Sequence, residues 1–225
     1  MDEIRLIEVK EGILSESQAV ANRLKERLRG TGTFMLNLMS SPGSGKTSLI
    51  LRTVDVLKGE FRIGIIEADI ASTVDSEKVA AHGVKVVQLR TGGFCHLDAA
   101  MVVEGLDAIG PQDLDLVIIE NVGNLVCPAE FDTGANRNAM ILSIPEGDDK
   151  PLKYPLMFSV CDVLVLNKID TMGVFDFDVR AVEQRVRVLN PDIRILMTSC
   201  KTGEGIDGWT NWLRDEIRSS RQQPG

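Results

Sequence analysis

The sequence predicts an α/β fold in three layers: a mostly parallel central sheet flanked by helices. Three observations carry this. Apolar runs of strand length alternate with helix-length amphipathic segments along the whole chain, and such alternation builds a parallel sheet covered on both faces. One run, Phe34 to Met39, passes through Ser40-Ser41-Pro42-Gly43-Ser44-Gly45 into Lys46-Thr47 and a helix. Two further runs end in an acid, at Asp69 and Glu120. In an open parallel sheet that aims both acids at the edge where ligands sit.

The stretch from Phe34 to Thr47 is the strand, loop and helix start that a phosphate-binding loop needs, so the fold expected is that of a P-loop NTPase. Gly43 and Gly45 let backbone N–H groups turn inward toward a polyphosphate. The helix behind them adds free N–H groups and the positive end of its dipole. Lys46 is expected to reach the β- and γ-phosphates, and Thr47 to put its hydroxyl on Mg²⁺. With Pro42, Gly43, Ser44, Gly45 and Ser48 they form the expected cradle. The usual pattern has glycine where this chain has Ser40.

A chain of 225 residues suits one large α/β domain. Its 44% hydrophobic and 26% charged residues are ordinary for a globular protein. The net charge of −8 speaks against nucleic acid as a partner, while a nucleotide in a local pocket stays compatible with it. No apolar run is long enough for a bilayer, and the charged start Met1-Asp2-Glu3 has no signal-peptide pattern. Cys95, Cys127, Cys161 and Cys200 are too few and scattered for a disulfide framework. The expected setting is a reducing cytoplasm, away from membranes.

Taken in order, residues 1–14 read as an irregular lead-in. Ser15 with Gln18 resembles a capping box, and Ala19, Val20, Leu24 and Leu28 give the helix after it an apolar face that Gly30 and Gly32 stop. Residues 1–32 thus precede a P-loop domain over 33–218. After the loop come a helix over 45–58, a strand over 61–69, a helix over 72–81 and a strand over 84–89. Gly92 and Gly93 mark a flexible loop that opens a helix over 97–108. A strand over 114–120, a long loop over 121–138 and a strand over 139–144 follow. The charged cluster from Glu146 to Lys150 reads as a solvated loop, and a short helix over 151–159 comes next. A strand over 162–166, a helix over 176–189, a strand over 193–197 and a helix over 205–218 complete the fold. Trp209 and Trp212 anchor the last helix, and residues 219–225 are expected to fray. Cys161 reads as core and the Cys200 thiol as incidental.

The base is indicated by two strand ends. The strand over 162–166 leads into Asn167-Lys168-Ile169-Asp170, an N-K-x-D pattern, and the strand over 193–197 into Thr198-Ser199-Cys200-Lys201. An aspartate can accept two hydrogen bonds from guanine N1–H and its 2-amino group, and adenine offers no such pair. The Lys168 stem would cover the base, Asn167 would tie the two loops, and Ser199, Cys200 and Lys201 would bring backbone N–H groups to guanine O6. GTP and GDP are the expected ligands.

These segments together resemble the signal-recognition/partitioning class of P-loop GTPases. With Glu67-Ala68-Asp69, Cys95-His96-Leu97-Asp98, the run from Glu120 to Pro128 and the run from Ser199 to Gly205, the chain is similar to the HypB family. The resemblance implies GTP hydrolysis coupled to nickel insertion into [NiFe] hydrogenase, as a homodimer working with hydrogenase maturation proteins and the hydrogenase large subunit. It implies that Lys46 and Thr47 bind phosphate and Mg²⁺. Glu120 takes the place of the aspartate in the commoner D-x-x-G switch, Gly123 offers its N–H to the γ-phosphate, and Asp69 lies near Mg²⁺ and the attacking water. No arginine finger is assignable, so turnover is expected to be slow. The cysteine-rich N-terminal nickel motif of many bacterial members and the His-rich tract of some are absent from this sequence, so no high-affinity nickel site is expected at residues 1–10.

Cys95, His96 and Cys127 match the family's metal site. Thiolate and imidazole ligands suit Zn²⁺ and Ni²⁺ alike. Cys95 and His96 are expected to start a helix whose dipole lowers a thiol pKa. Three ligands per chain leave a four-coordinate site incomplete, and a two-fold dimer could supply the rest. Small buried thiols in a core are the alternative. The coupling expected is that GTP moves the Gly123 loop, and the loop moves Cys127. Two other functions fit the same motifs: delivery of nickel to another enzyme such as urease, and a GTP-gated metal-binding adaptor with negligible turnover.

Overall fold

The computed structural model describes residues 9–69 and 74–222. Its strands are β1 (Phe34–Ser40), β2 (Ile63–Asp69), β3 (Lys85–Arg90), β4 (Leu116–Glu120), β5 (Arg137–Ser143), β6 (Val163–Asn167) and β7 (Arg194–Met197). They form one seven-stranded sheet in the order β3-β2-β4-β1-β5-β6-β7, and every pairing in it is parallel. All residues of β1, β4 and β6 are buried, which is why they read as continuous apolar runs rather than alternating ones.

The helices are α1 (Val9–Thr31), α2 (Lys46–Leu57), α3 (Val74–Ala80), α4 (Ala99–Ile109), α5 (Cys127–Glu130), α6 (Lys150–Lys153), α7 (Pro155–Ser159), α8 (Val179–Leu189) and α9 (Ile206–Gln222). One face of the sheet packs Phe34, Leu36 and Leu38 against Leu49 and Val54 of α2 and Trp209 and Leu213 of α9. The other packs Met35 against Leu24 and Leu28 of α1 and Leu106 of α4. Farther along that face Met39 and Met140 meet Phe158 of α7 and Val182 of α8. Trp209 is 1% exposed, and its Nε1–H donates to Thr53 Oγ1 at 2.8 Å, so the anchor expected of it is satisfied in its polar part as well.

The topology places the site. The chain leaves β1, passes over β4 to β2 and β3, returns to β4 and then crosses β1 to β5. The carboxyl ends of β4, β1 and β5 therefore open into one crevice, as at any reversal of strand order.

Several boundaries differ from expectation. The first helix begins at Val9, upstream of Ser15; the capping pattern there lies inside a helix because no proline or turn residue pair interrupts Val9 to Leu14. The helix expected over 151–159 is split into α6 and α7. Pro155 has no N–H to give, and it pushes Tyr154 out of helical geometry to φ −132, ψ 55. Residues 219–222 are helical rather than frayed. Asp115 ties this end down: its Oδ1 accepts from Arg221 Nη2 at 2.5 Å and its Oδ2 accepts from the Arg62 N–H at 2.7 Å and Nε at 3.0 Å.

The Arg62 guanidinium first, against some burial, and then Arg221 hold the Asp115 carboxyl far below its ordinary value of 3.8. A carboxyl lowered on folding contributes stability that is complete above its unfolded pKa and is lost as pH falls through the folded one. Asp115→Asn is expected to lower Tm at pH 7, by about 2–4 °C for each kcal/mol lost in a chain of this size. The gap between variant and wild type should narrow as pH drops below 3.8. Melts at pH 7 and pH 3 measure both limbs.

Candidate functional site

The loop between β1 and α2 has the backbone that an oxyanion needs. Gly43 and Gly45 lie at φ 75 and φ 106, in the left-handed region that glycine enters without strain. Gly45 precedes α2 and offers no side chain to cap it, so the first N–H groups of that helix point into the crevice. Lys46 Nζ donates to Ser40 Oγ at 3.0 Å. Ser40 thus fits where the usual glycine stands and gives the lysine a polar rest. Thr47 Oγ1 donates to Glu120 Oε1 at 2.8 Å, which joins the loop to the end of β4. Ser48 lies one residue further into α2. Asp69 closes β2 by its backbone, and its side chain lies outside the described residues.

Glu146 belongs to this pocket rather than to a solvated loop. Its Oε1 accepts from Ser44 Oγ at 2.7 Å, from the Ser143 N–H at 2.9 Å and from Ser143 Oγ at 2.7 Å. Burial raises its carboxyl, and the hydroxyls of Ser41, Ser44 and Ser143 with the Ser143 N–H outweigh that and lower it. The signal was present: Ser143-Ile144-Pro145-Glu146 is a capping box around a single 3-10 turn.

The segments after β6 and β7, expected to read the base, meet the phosphate loop directly. Asn167 Nδ2 donates to Ser44 O at 2.9 Å, and a Cβ on Gly45 would lie 2.5 Å from that nitrogen. Lys168 takes φ 62, a positive value no other described non-glycine residue has, and its Nζ donates to Gly43 O at 2.7 Å. Asp170 Oδ1 accepts from Ser199 Oγ at 2.6 Å, and Lys201 Nζ lies 3.9 Å from Oδ2. The Cys200 N–H reaches Asn167 Oδ1 at 3.4 Å. Burial pushes the Cys200 thiol up to about 11, so it is an inert neutral group, as expected. Arg52 on α2 was missed: its Nε donates to Cys200 O at 2.8 Å and clamps the segment from behind.

Cys95, His96 and Cys127 are brought together, with one ligand atom from each lying within 4.8 Å of the others. The Sγ atoms of Cys95 and Cys127 are 2.7 Å apart, and His96 Nδ1 is 3.9 Å from Cys95 Sγ. The His96 ring stacks on Phe131 with centroids 3.9 Å apart. Burial lowers the His96 pKa against the pull of Asp98 and Glu130, which keeps the imidazole in its neutral, metal-ligating form. Helix α4 starts only at Ala99, where the Asp98 carboxylate accepts from the Met101 N–H at 2.9 Å. Cys95 and His96 therefore lie in the loop ahead of the helix rather than at its start. Cys127 is the one that opens a helix, the four-residue α5. Its thiol is nonetheless raised, first by the hydrogen bond with Cys95 and then by burial.

One segment connects the thiols to the phosphate loop. Gly123 follows Glu120 closely and packs on that loop, so that a Cβ there would sit 3.0 Å from the Pro42 ring and backbone. Three residues on, the Val126 N–H is held by Asn124 Oδ1 at 2.8 Å, and Cys127 comes next.

The model of the CobW/HypB/UreG nucleotide-binding domain matches residues 34–197. A hydrogenase maturation factor HypB of Azotobacter vinelandii is 43% identical over 213 residues, covering 95% of this chain and 70% of that protein. A hydrogenase/urease maturation factor HypB of Helicobacter pylori is 38% identical over 220 residues, covering 96% of this chain and 90% of that protein. A crystal structure of HypB from Helicobacter pylori in complex with nickel superposes with a TM-score of 0.87 at 36% identity, over 93% of this chain and 99% of that one. With the phosphate loop, the segments after β6 and β7 and the thiol–imidazole cluster in one fold, the chain belongs to the CobW/HypB/UreG family of nucleotide-binding domains, and within it to the HypB proteins.

Proposed function

We propose that this chain is a slow, Mg²⁺-dependent GTP hydrolase that assists nickel insertion into [NiFe] hydrogenase, with a Cys/His metal centre that responds to the nucleotide. The observation that carries the proposal is the continuity of one segment. Glu120 is bonded to the phosphate-loop Thr47, and the same chain runs on through Gly123 to Cys127 beside Cys95 and His96. The kinship with hydrogenase maturation factors supports the cargo. The Helicobacter pylori relative, named for hydrogenase and urease, favours a second reading in which the same centre also serves urease.

In this reading Lys46 leaves Ser40 for the β- and γ-phosphates, joined by the N–H groups from Gly43 to Ser48. Thr47 and Glu120, with Asp69, hold Mg²⁺, whose chemistry there is to neutralise charge on the β- and γ-oxygens. Gly123 offers its N–H to the γ-phosphate, and Glu120 or Asp69 orients the attacking water. Asp170, steadied by the Ser199 hydroxyl, accepts from guanine while the Lys168 stem covers the ring. At the metal centre a neutral imidazole and two thiols, deprotonated on binding, suit Ni²⁺ and accept Zn²⁺. Phe94 and Val126 flank it at 57% and 52% exposure, and three ligands per chain suit a two-fold dimer that shares its metal. The partners proposed are a second copy, hydrogenase maturation proteins and the hydrogenase large subunit. The four cysteines are free, which suits the cytoplasm proposed as its setting. No helix among the described residues is long and apolar enough to cross a membrane.

Asp170→Asn tests the base site. It removes a charge-assisted pair of hydrogen bonds, about 1.5–3 kcal/mol, so GTP affinity should fall on the order of tenfold to a hundredfold and xanthine nucleotides should be preferred; unchanged GTP affinity refutes the assignment. Cys95→Ala and Cys127→Ala should abolish nickel binding at this centre and, measured without metal, leave GDP affinity within about twofold. Phosphate release measured with and without Mg²⁺ separates a hydrolase from an adaptor that only binds GTP. Recovery with a hydrogenase large subunit or with urease identifies the recipient.

A further inference from the structure

Asn121 is fully buried between Glu120 and the loop that precedes α4. Its Nδ2 donates to Asn37 Oδ1 at 3.1 Å. Its Oδ1 accepts from the Leu97 N–H at 3.2 Å and from the Val122 N–H at 2.9 Å. The orientation of the amide is fixed, because two main-chain N–H groups can converge only on the oxygen. Asn37 on β1 passes the polarity on: its Nδ2 donates to Asn138 Oδ1 at 3.0 Å, and Asn138 Nδ2 to Val160 O at 3.3 Å. A row of amides, half-buried at Asn138 and fully buried at Asn37 and Asn121, thus crosses the sheet from β5 through β1 and ends at Asn121.

What Asn121 holds gives it a role. Leu97 directly follows Cys95-His96 and is itself fully buried. On the other side, Asn121 is the residue after Glu120, whose Oε1 accepts from Thr47. A single side chain therefore stands one peptide bond from the phosphate pocket and one hydrogen bond from the backbone that carries two metal ligands. Aspartate would put an uncompensated charge there, and leucine would leave two N–H groups without an acceptor.

Resting on the GTP and nickel function above, we propose that Asn121 is the positioning residue that couples the phosphate pocket to the Cys95–His96 loop. A ligand that draws Glu120 displaces the end of β4, changes the grip of Oδ1 on Leu97 and so reorients His96 and Cys95. Cys127 is reached separately through Gly123, and the nucleotide then acts on the metal centre from both sides. Asn121 touches neither GTP nor metal.

The test is Ni²⁺ titration of the full chain in GDP and in a non-hydrolysable GTP analogue, for wild type and Asn121→Ala. It is paired with hydrogen exchange at the Leu97 amide in the wild type. Nickel Kd in the wild type should differ between the two states by about tenfold, and in Asn121→Ala by less than about twofold, with GDP affinity kept within about threefold. The Leu97 amide should exchange at different rates in the two states while the Val102 amide, inside α4, does not. A variant that retains the wild-type ratio of nickel affinities overturns the proposal, as does a Leu97 amide equally protected in both states. If Asn121→Ala does not fold, the Leu97 measurement on the wild type decides alone. A wild type with one nickel affinity in both states overturns the coupling for every residue, whereas a wild type that binds no guanine nucleotide overturns the function beneath it.

Discussion

The pocket hangs on the hydrogen bond from the Asn167 amide to the carbonyl of Ser44. It is buried, it joins the end of β6 to the phosphate loop, and it crosses 123 residues of sequence. Around it the rest follows. Gly45 must lack a Cβ because Asn167 occupies its place. Lys168 accepts a left-handed backbone so that its ammonium can reach Gly43 O. Asn167 Oδ1, the other half of the same amide, accepts from Thr198 and from the Cys200 N–H. A neutral amide with both ends satisfied inside the protein sets the distance between the β1–α2 loop and the segments after β6 and β7 more firmly than an ion pair on the surface would.

The metal cluster obeys a different constraint, which is proton economy. The Cys127 thiol is raised, first by its hydrogen bond with Cys95 and then by burial. His96 is biased the other way, toward loss of its proton, by its burial. Of the three ligand groups, the imidazole is thus ready before any cation arrives, and the thiols must release protons to bind one. Phe131 contributes by stacking on the ring, and the next residue, Asp132, is tied to Lys25 and Gln18 of α1. The first helix, outside the matched residues 34–197, therefore helps to shape the loop beside the cluster.

Much of this was legible in the linear chain. The parallel strands announced themselves as apolar runs, and the acids, glycines and N-K-x-D at their ends could be placed at one edge by topology alone. Cys95, His96 and Cys127 came from residue type and resemblance. The cluster's electrostatics did not, because the start of α4 depends on the Asp98 cap rather than on the apolar pattern. Glu146 escaped notice because a charged Glu-Gly-Asp-Asp run looks solvated, and only the packing of β5 beside β1 turns its carboxylate toward Ser44. Arg52 and Asn121 escaped for the same reason. Their partners are 148 and 24 residues away, and neither helical nor strand periodicity carries information at that range. The end of α9 was misjudged because a polar tail resembles a frayed one until Asp115 is seen beneath Arg221.

The order of the strands has a consequence for a chain emerging from the ribosome. The phosphate loop is made first and β7 and the segment from Ser199 to Gly205 much later, and Gly205 folds back so tightly that a Cβ there would lie 1.8 Å from Met197 O. Trp209, which closes over α2 through Thr53, comes later still. A nascent chain therefore carries an anion-binding loop before it has made the Asn167 amide that braces it and the Trp209 that packs behind it, so the loop's geometry and that side of the core are completed together.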